Sequence, residues 1–324
     1  MYLTAAATAF GSRILPSEKV DEAYGMPIGK LRTRAGILSV AYAAENECEE
    51  TLGAVACQKA LEQTGESAQS VDGVIAASET HHSYPSLAAA LHARLKLPEW
   101  RMALDAGNGC LALLQVLFVA QALIMTGRAE TLLVATSDVH SRTLGPGRSA
   151  GEFGGLFGDG ASAFVLSSKT PKRGSFAYRL GEFFFGCASQ YAEAIAVSEA
   201  GGGELDVQFD GEGLSRAAVN RMEQVLAEVE RRSGIALAKA AAFATHQPNP
   251  RLVKLLAKQL GVPANLFPPI AETKGNLGSS TCGAVLEAAV VHAAMQKPED
   301  RGVVFLASLG PGLLFGGGWL VPVG

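Results

Sequence analysis

The sequence predicts an α/β fold of five layers, α-β-α-β-α, built from two halves related by a pseudo-two-fold axis. Three observations predict it. Buried strand patterns alternate with helical ones, which favours mixed, largely parallel sheets covered by helices. The same succession of elements recurs after residue 175. Two helices, starting near Cys110 and Cys282, are apolar on almost every side, as helices held between two sheets must be. The expected division is 1–170 and 171–324.

In order, Tyr2–Phe10 reads as the first strand, and a Gly- and Pro-punctuated connection runs to the basic, turn-like Leu31–Gly36. Asn46–Gly65 is an amphipathic helix stopped by its glycine, and Gly73–Ser78 a short buried strand. Pro85–Leu97 is helical up to Pro98, and Arg101–Asp105 is a strand feeding the turn Ala106-Gly107-Asn108-Gly109. That turn delivers Cys110 to a helix whose only polar residues up to Met125 are Gln115 and Gln121, and Gly127 stops it. Thr131–Ser137 and Ala161–Ser167 are buried strands. In the second half, Leu214–Gly234, Arg251–Leu260 and Ser280–Met295 are helices, and Ala241–Thr245, Val303–Ser308 and Gly316–Val323 are strands.

The landmarks Gly65, Ser78, Pro98, Cys110, Ser137 and Phe157 pair with Gly234, Thr245, Pro263, Cys282, Ser308 and Phe315. Successive gaps are 13, 20, 12, 27 and 20 residues against 11, 18, 19, 26 and 7. Three of the five agree within two residues, and the other two are loops. A period near 170 residues is a duplicated half, not a solenoid.

Composition narrows the function. The 324 residues are 48% hydrophobic and 18% charged with a net charge of -4, which describes a globular chain with no reason to seek nucleic acid or an anionic membrane. The N-terminus lacks the basic region and apolar core of a signal peptide, and no run of twenty apolar residues occurs. Five cysteines without CxxC spacing point to reduced thiols in the cytoplasm. Scattered histidines make a metal site an unfavoured reading. No GxGxxG opens a helix after a strand, no Walker sequence is present, and Gly160-Ala161-Ser162-Ala163-Phe164 is not a GxSxG elbow. Asp105, Asp138 and Asp159, at strand ends or turns, read as carboxylates capping backbone N–H groups.

Cys110 is the candidate nucleophile. At a helix start it meets unsatisfied N–H groups and the positive end of the dipole, which lowers a thiol pKa. Under the pseudo-symmetry, loops of the second half arrive beside it. His246 follows a buried strand in His246-Gln-Pro-Asn, Asn276 precedes the second apolar helix, and Ser308–Gly312 offers backbone N–H groups from Gly310 and Gly312. Cys282, also at a helix start, reads as structural.

These motifs, in this order, resemble the β-ketoacyl-acyl-carrier-protein synthase III family of the thiolase superfamily. The resemblance is collinear over nearly the whole chain: Asp105–Cys110, Phe157–Ser162, His246–Asn249, Gly275–Asn276 and the C-terminal glycine-rich strand. It implies a thiolase-like fold and a homodimer. It also implies an acyltransferase that moves an acyl group from acyl-CoA to Cys110 and condenses it, with loss of CO2, with a malonyl thioester on acyl carrier protein. His246 and Asn276 would stabilise the enolate, and N–H groups of Cys110 and of Gly310 or Gly312 the oxyanion. CoA and the malonyl thioester are substrates, so no resident cofactor is implied.

Residue by residue, the resemblance places Arg34, Arg148 and Arg251 on the CoA or carrier side and Tyr84 and Leu111 at the acyl pocket, Tyr84 also at the dimer contact. Several positions depart from the family. Lys30 stands where the family has an adenine-stacking tryptophan, Pro248 where alanine is common, and Gly109-Cys110-Leu111-Ala112-Leu113 replaces Ala-Cys-Ser-Gly-Phe. These departures suggest a specialised or secondary-metabolite role. Two other readings stay open: an acyltransferase that passes the Cys110 acyl group on without decarboxylation, and a catalytically silent partner subunit.

Overall fold

A computed structural model of the chain describes residues 1–107, 109–149, 151–171, 177–201, 204–209, 211–294 and 302–323. Asn108 and Met295, two positions of the expected elements, lie outside the described residues. The first half runs β1 (Tyr2–Phe10), β2 (Arg13–Pro16), α1 (Ser17–Ala23), β3 (Ser39–Tyr42), α2 (Glu49–Thr64), β4 (Gly73–Ala77) and α3 (Leu87–Arg94). It continues with β5 (Met102–Asp105), α4 (Ala112–Met125), β6 (Thr131–Val139), α5 (His140–Thr143), α6 (Gly151–Gly155) and β7 (Asp159–Ser167). The second half runs β8 (Tyr178–Leu180), β9 (Phe184–Cys187), β10 (Ile195–Gly201), β11 (Glu204–Phe209), α7 (Gly211–Ser233) and β12 (Ala240–Thr245). It ends with α8 (Pro250–Leu260), α9 (Ile270–Lys274), α10 (Thr281–Ala294), β13 (Val303–Gly310) and β14 (Leu314–Pro322).

The strands lie in the order β12-β13-β14-β8-β1-β7-β6-β4-β5, with β9 also on β14. Two features differ from expectation. The halves are hydrogen-bonded into one continuous sheet, because the three-residue β8 pairs with β1 on one side and β14 on the other. Its pairs are mostly antiparallel. Only β12–β13, β4–β5 and β4–β6 are parallel, because β7 and β14 each fold back beside the strand before them. Separate from this sheet, β10 and β11 form a hairpin, as do β2 and β3.

Five layers nonetheless result. Helices α4 and α10 lie in the middle, packed on Ile75, Leu132, Val134 and Phe164 from the first half and on Val304, Leu306 and Leu320 from the second. Each such side chain removed from water contributes roughly 1.5–3 kcal/mol. Outside, α2 and α3 cover the first half, and α7 and α8 the second. The alanine-rich β1 explains how the layers approach so closely: Ala5, Ala7 and Ala9 face the outer helices, while Leu3 and Ala6 face the middle. Helix ends follow local chemistry. The Thr51 hydroxyl accepts from the Cys48 N–H at the start of α2, and Gly65 ends it at φ 68°. Asn249 caps α8 through its Leu252 N–H, with Pro250 in the first turn.

α4 is not buried on every face. Phe118 and Met125 are 44% and 74% exposed, and Ala122 between them is exposed too. Phe118 packs edge-on against Phe185 of β9, and β5 is a separate edge strand with little cover. No described helix is long and apolar enough to cross a membrane.

Candidate active site

Both central helices start from matching 3-10 turns, Gly109–Leu111 before α4 and Gly278–Ser280 before α10. Cys110 thus sits in the turn ahead of the helix, not in its first α-helical turn. Gly109 holds φ 57°, and a Cβ there would stand 2.8 Å from Pro311 Cδ, so glycine is required for the close approach of the C-terminal loop. The Ser308 hydroxyl donates to the Cys110 carbonyl at 2.7 Å and pins the turn.

Cys110, His246, Asn276 and Gly310 all line one cavity of about 480 Å3. Each arrives by a different route. His246 leaves β12 with its N–H donating to the Ala307 carbonyl of β13 at 3.0 Å. Asn276 is gripped through its backbone: its N–H donates to Leu156 and its carbonyl accepts from Gly158, both at 2.9 Å. Gly158 cannot be larger, since a Cβ there would meet the Lys274 carbonyl at 2.0 Å. The Phe157–Gly160 motif is therefore a clamp on the asparagine loop.

The polar groups are set up unequally. Asn276 Oδ1 accepts from the Gly278 N–H at 3.0 Å and from the Thr281 hydroxyl at 2.9 Å, which fixes the amide orientation and leaves its N–H2 for a ligand. Burial depresses the His246 pKa to about 4, so its ring is neutral at neutral pH, and Nδ1 has no hydrogen-bond partner among the described residues.

The Cys110 thiol departs from expectation. Its pKa is pushed well up, first by burial and then by the negative charge of Glu79, with Asp138 adding to it. The helix-start effect is overridden by burial first and by the carboxylate beside the sulfur second. Glu79 and its neighbour His140 are site residues that the sequence reasoning missed. Glu79 Oε2 is 3.8 Å from His140 Nε2, and both residues line the cavity. Burial works to raise the Glu79 pKa, but the His140 ring and the Cys110 thiol hold it below the usual carboxylate range. Burial opposes charge on His140, yet Glu79, Asp138 and Asp159 raise its pKa to about 9. One signal could have revealed Glu79: it follows Ser78 as His246 follows Thr245, the landmarks paired across the repeat.

This arrangement suits acyl transfer: a sulfur, two hydrogen-bond donors and backbone N–H groups around a cavity with apolar walls that include Leu144, Phe157 and Leu309. The family profile described as 3-Oxoacyl-[acyl-carrier-protein (ACP)] synthase III matches residues 104–182, and its C-terminal counterpart matches 231–321. A Beta-ketoacyl-[acyl-carrier-protein] synthase III of Sphingopyxis alaskensis is 30% identical over 286 residues, covering 87% of each chain. The chain belongs to the β-ketoacyl-acyl-carrier-protein synthase III family. It is an acyltransferase of the condensing-enzyme type, and the fold agrees. The synthase III of Aquifex aeolicus superimposes with TM-score 0.86 at 22% identity, covering 98% of this chain and 99% of that one. The priming β-ketosynthase of the R1128 polyketide pathway gives TM-score 0.85 at 23% identity over 99% and 96%.

In this synthase III chain, the other expected residues fall in different places. Arg148 lines the cavity. Arg34 and Arg251 are exposed and adjacent, Arg251 Nη1 donating to the Arg34 carbonyl at 3.3 Å, so two cations share one surface site. Lys30 pairs with Glu152 at 3.5 Å. Gly310 lines the cavity, and a Cβ on it would lie 3.8 Å from the Cys110 nitrogen; Gly312, at φ 77°, is not among the lining residues.

The acyl-pocket expectation does not hold within a single chain. Tyr84 is 98% exposed and lines no cavity described, because it stands on an uncovered loop before Pro85. Leu111 points into the central core, as does Leu113, since the turn aims Cys110 outward and its neighbours inward. Cys282 is buried, its thiol donating to the Ala244 carbonyl at 3.3 Å and raised to about 12 by burial. The three aspartates accept backbone N–H bonds: Asp105 from Ala88, Asp138 from Glu79, Asp159 from Ala43 and Ser141.

Proposed function

We propose that the chain takes an acyl group from acyl-CoA onto Cys110 and joins it to a malonyl thioester presented by acyl carrier protein. The observation that carries this reading is the meeting of Cys110, His246 and Asn276 on one cavity with the Asn276 amide N–H2 unclaimed. The Cys110 sulfur attacks the thioester carbonyl, and the oxyanion takes the Cys110 N–H and one from the Gly310–Gly312 turn. CoA leaves and the malonyl thioester enters. The neutral His246 ring and the Asn276 amide each donate to its thioester oxygen. As CO2 departs, negative charge collects on that oxygen; the enolate carbon then attacks the acyl carbonyl, the bond to the Cys110 sulfur breaks, and the released thiolate takes up a proton. Two donors favour this carbon–carbon chemistry over plain acyl transfer, which forms no enolate.

Arg34 and Arg251 suit the CoA phosphates through their planar N–H pairs, with Arg148 further in. A homodimer fits the uncovered β5 edge, the Phe118–Met125 stripe, and Tyr84 and Trp100, which are 98% and 94% exposed. Five unpaired cysteines suit a reducing cytoplasm. The departures around Cys110 and at Pro248 and Lys30 suit a specialised pathway.

The test is incubation with radiolabelled acyl-CoA followed by malonyl carrier protein. Label on wild-type protein but not on Cys110→Ala, followed by CO2 release, is the expected result. Label without CO2 release would indicate the non-decarboxylating acyltransferase, and no label the silent subunit.

A further inference from the structure

The half-buried Glu79 has no part in the mechanism above. Glu79 lies in the loop after β4, at the position that corresponds across the repeat to His246 after β12. The two pseudo-symmetric loops therefore each deliver one proton-active side chain to the cavity that Cys110 lines. Glu79 Oε1 is buried with no hydrogen-bond partner among the described residues, and a Cβ on Gly278 would touch it at 3.0 Å. A buried carboxylate so placed is costly unless it interacts with something. Its surroundings are Cys110, His140, His246 and Asp138. Asp138 is engaged by the Ser78 and Ser279 hydroxyls and the Glu79 N–H. His140 supplies the countercharge, and the thiol is the proton donor within reach.

We infer that Glu79 is the proton carrier for acyl loading of Cys110, a reading that rests on the acyl-enzyme chemistry above. The S–H bond breaks and its proton passes to the Glu79 carboxylate while the sulfur forms its bond to the thioester carbonyl carbon. The tetrahedral oxyanion then collapses, the carbonyl bond to the CoA sulfur breaks, and that sulfur takes the proton from the Glu79 carboxylic acid. The products are acyl-Cys110 and CoA thiol, with the carboxylate restored and no other reactant consumed. One negative charge stays in the cavity throughout, moving between neighbours; burial raises the thiol pKa first, and the Glu79 charge that raises it further is the one that accepts the proton.

The test compares acyl loading of Cys110 by wild type, Glu79→Gln and Glu79→Asp, followed by rapid quench and intact-mass measurement from pH 6 to 8.5. Wild type should load at a rate nearly independent of pH, because the proton stays within the pair. Glu79→Gln should load about 10²-fold more slowly at pH 7, the usual scale for losing a general base, and its rate should rise ~tenfold per pH unit as solvent removes the proton. Glu79→Asp, retaining the carboxylate, should recover part of the rate and the flat profile. Glu79→Gln loading at the wild-type rate and profile would overturn the inference while leaving the acyl-enzyme intact. Wild type that never loads Cys110 would overturn both.

Discussion

The turns before the two central helices have nearly the same backbone and opposite contents. Gly109 and Gly278 hold φ 57° and 58°, and each opens a three-residue 3-10 turn. At the centre of the first stands Cys110, and at the centre of the second Ser279, whose hydroxyl donates to Asp138. Cys282, which sequence landmarks pair with Cys110, instead lies within α10, three residues past Ser279 and facing the Ala244 carbonyl. Duplication supplies a frame with two equivalent sites. Chemistry arises where the frame is filled unequally: one turn holds the sulfur, while the loop leading into the other extends Asn276 toward it.

The largest way to test that division is to remove Asn276. The Asn276→Ala variant should lose about 10²–10³ in condensation rate, the usual scale for one donor at a developing oxyanion. Loading of Cys110 from acyl-CoA should change little, because the donor acts on the second substrate. Separate measurement of label uptake and CO2 release distinguishes the two steps. Equal loss in both would mean that the second turn shapes the cavity as a whole, and the division of labour would fail.

A smaller effect comes from the ionised groups around the first turn. His140 has a folded pKa of about 9 against 6.5 for the free side chain. Its contribution to stability is therefore fully present below pH 6.5 and lost as pH rises through about 9, on the order of 3 kcal/mol. Below pH 6.5 the sign is mixed. His246, depressed to about 4, loses stability as pH falls, while Asp138, raised to about 6 by burial and then by Glu79, gains it. The alkaline limb has a single sign, since the thiols of Cys57, Cys110 and Cys282, raised by burial, also lose stability once pH nears 9. The melting temperature of wild type should decline from pH 6.5 to 9, and His140→Gln should flatten that decline; an unchanged slope would remove His140 from the charge network.

Much of this frame was legible because its punctuation is local. Glycines at 65, 234 and 261 end their helices with positive φ, and strand patterns followed by His246 or preceding Cys110 mark loops at one end of the sheet. What escaped is non-local. Glu79 is one charge in a polar loop, and only folding both buries Cys110 and brings Glu79 to it, which together reverse the thiol shift expected from a helix start. The three residues of β8 join the halves, too short a strand to show a period. The β10–β11 hairpin places Val197 and Leu205 on the cavity, though nothing in its own sequence points there. Tyr84 and Met125 are left largely exposed by their own chain, so no pattern within that chain explains them.

The smallest effect should come from Cys282, and its smallness is informative. The Cys282→Ala variant removes one buried sulfur and its weak bond to the Ala244 carbonyl, one strand-end away from His246. A cost of about 1 kcal/mol in unfolding free energy is expected, since a small side chain leaves a small void. Acyl loading and condensation should stay within a few-fold of wild type. If condensation instead fell by tenfold or more at unchanged stability, the thiol would be holding the β12 end that carries His246. The second helix would then serve the site through two residues, Asn276 at its approach and Cys282 inside it, and the contrast between the two halves would narrow.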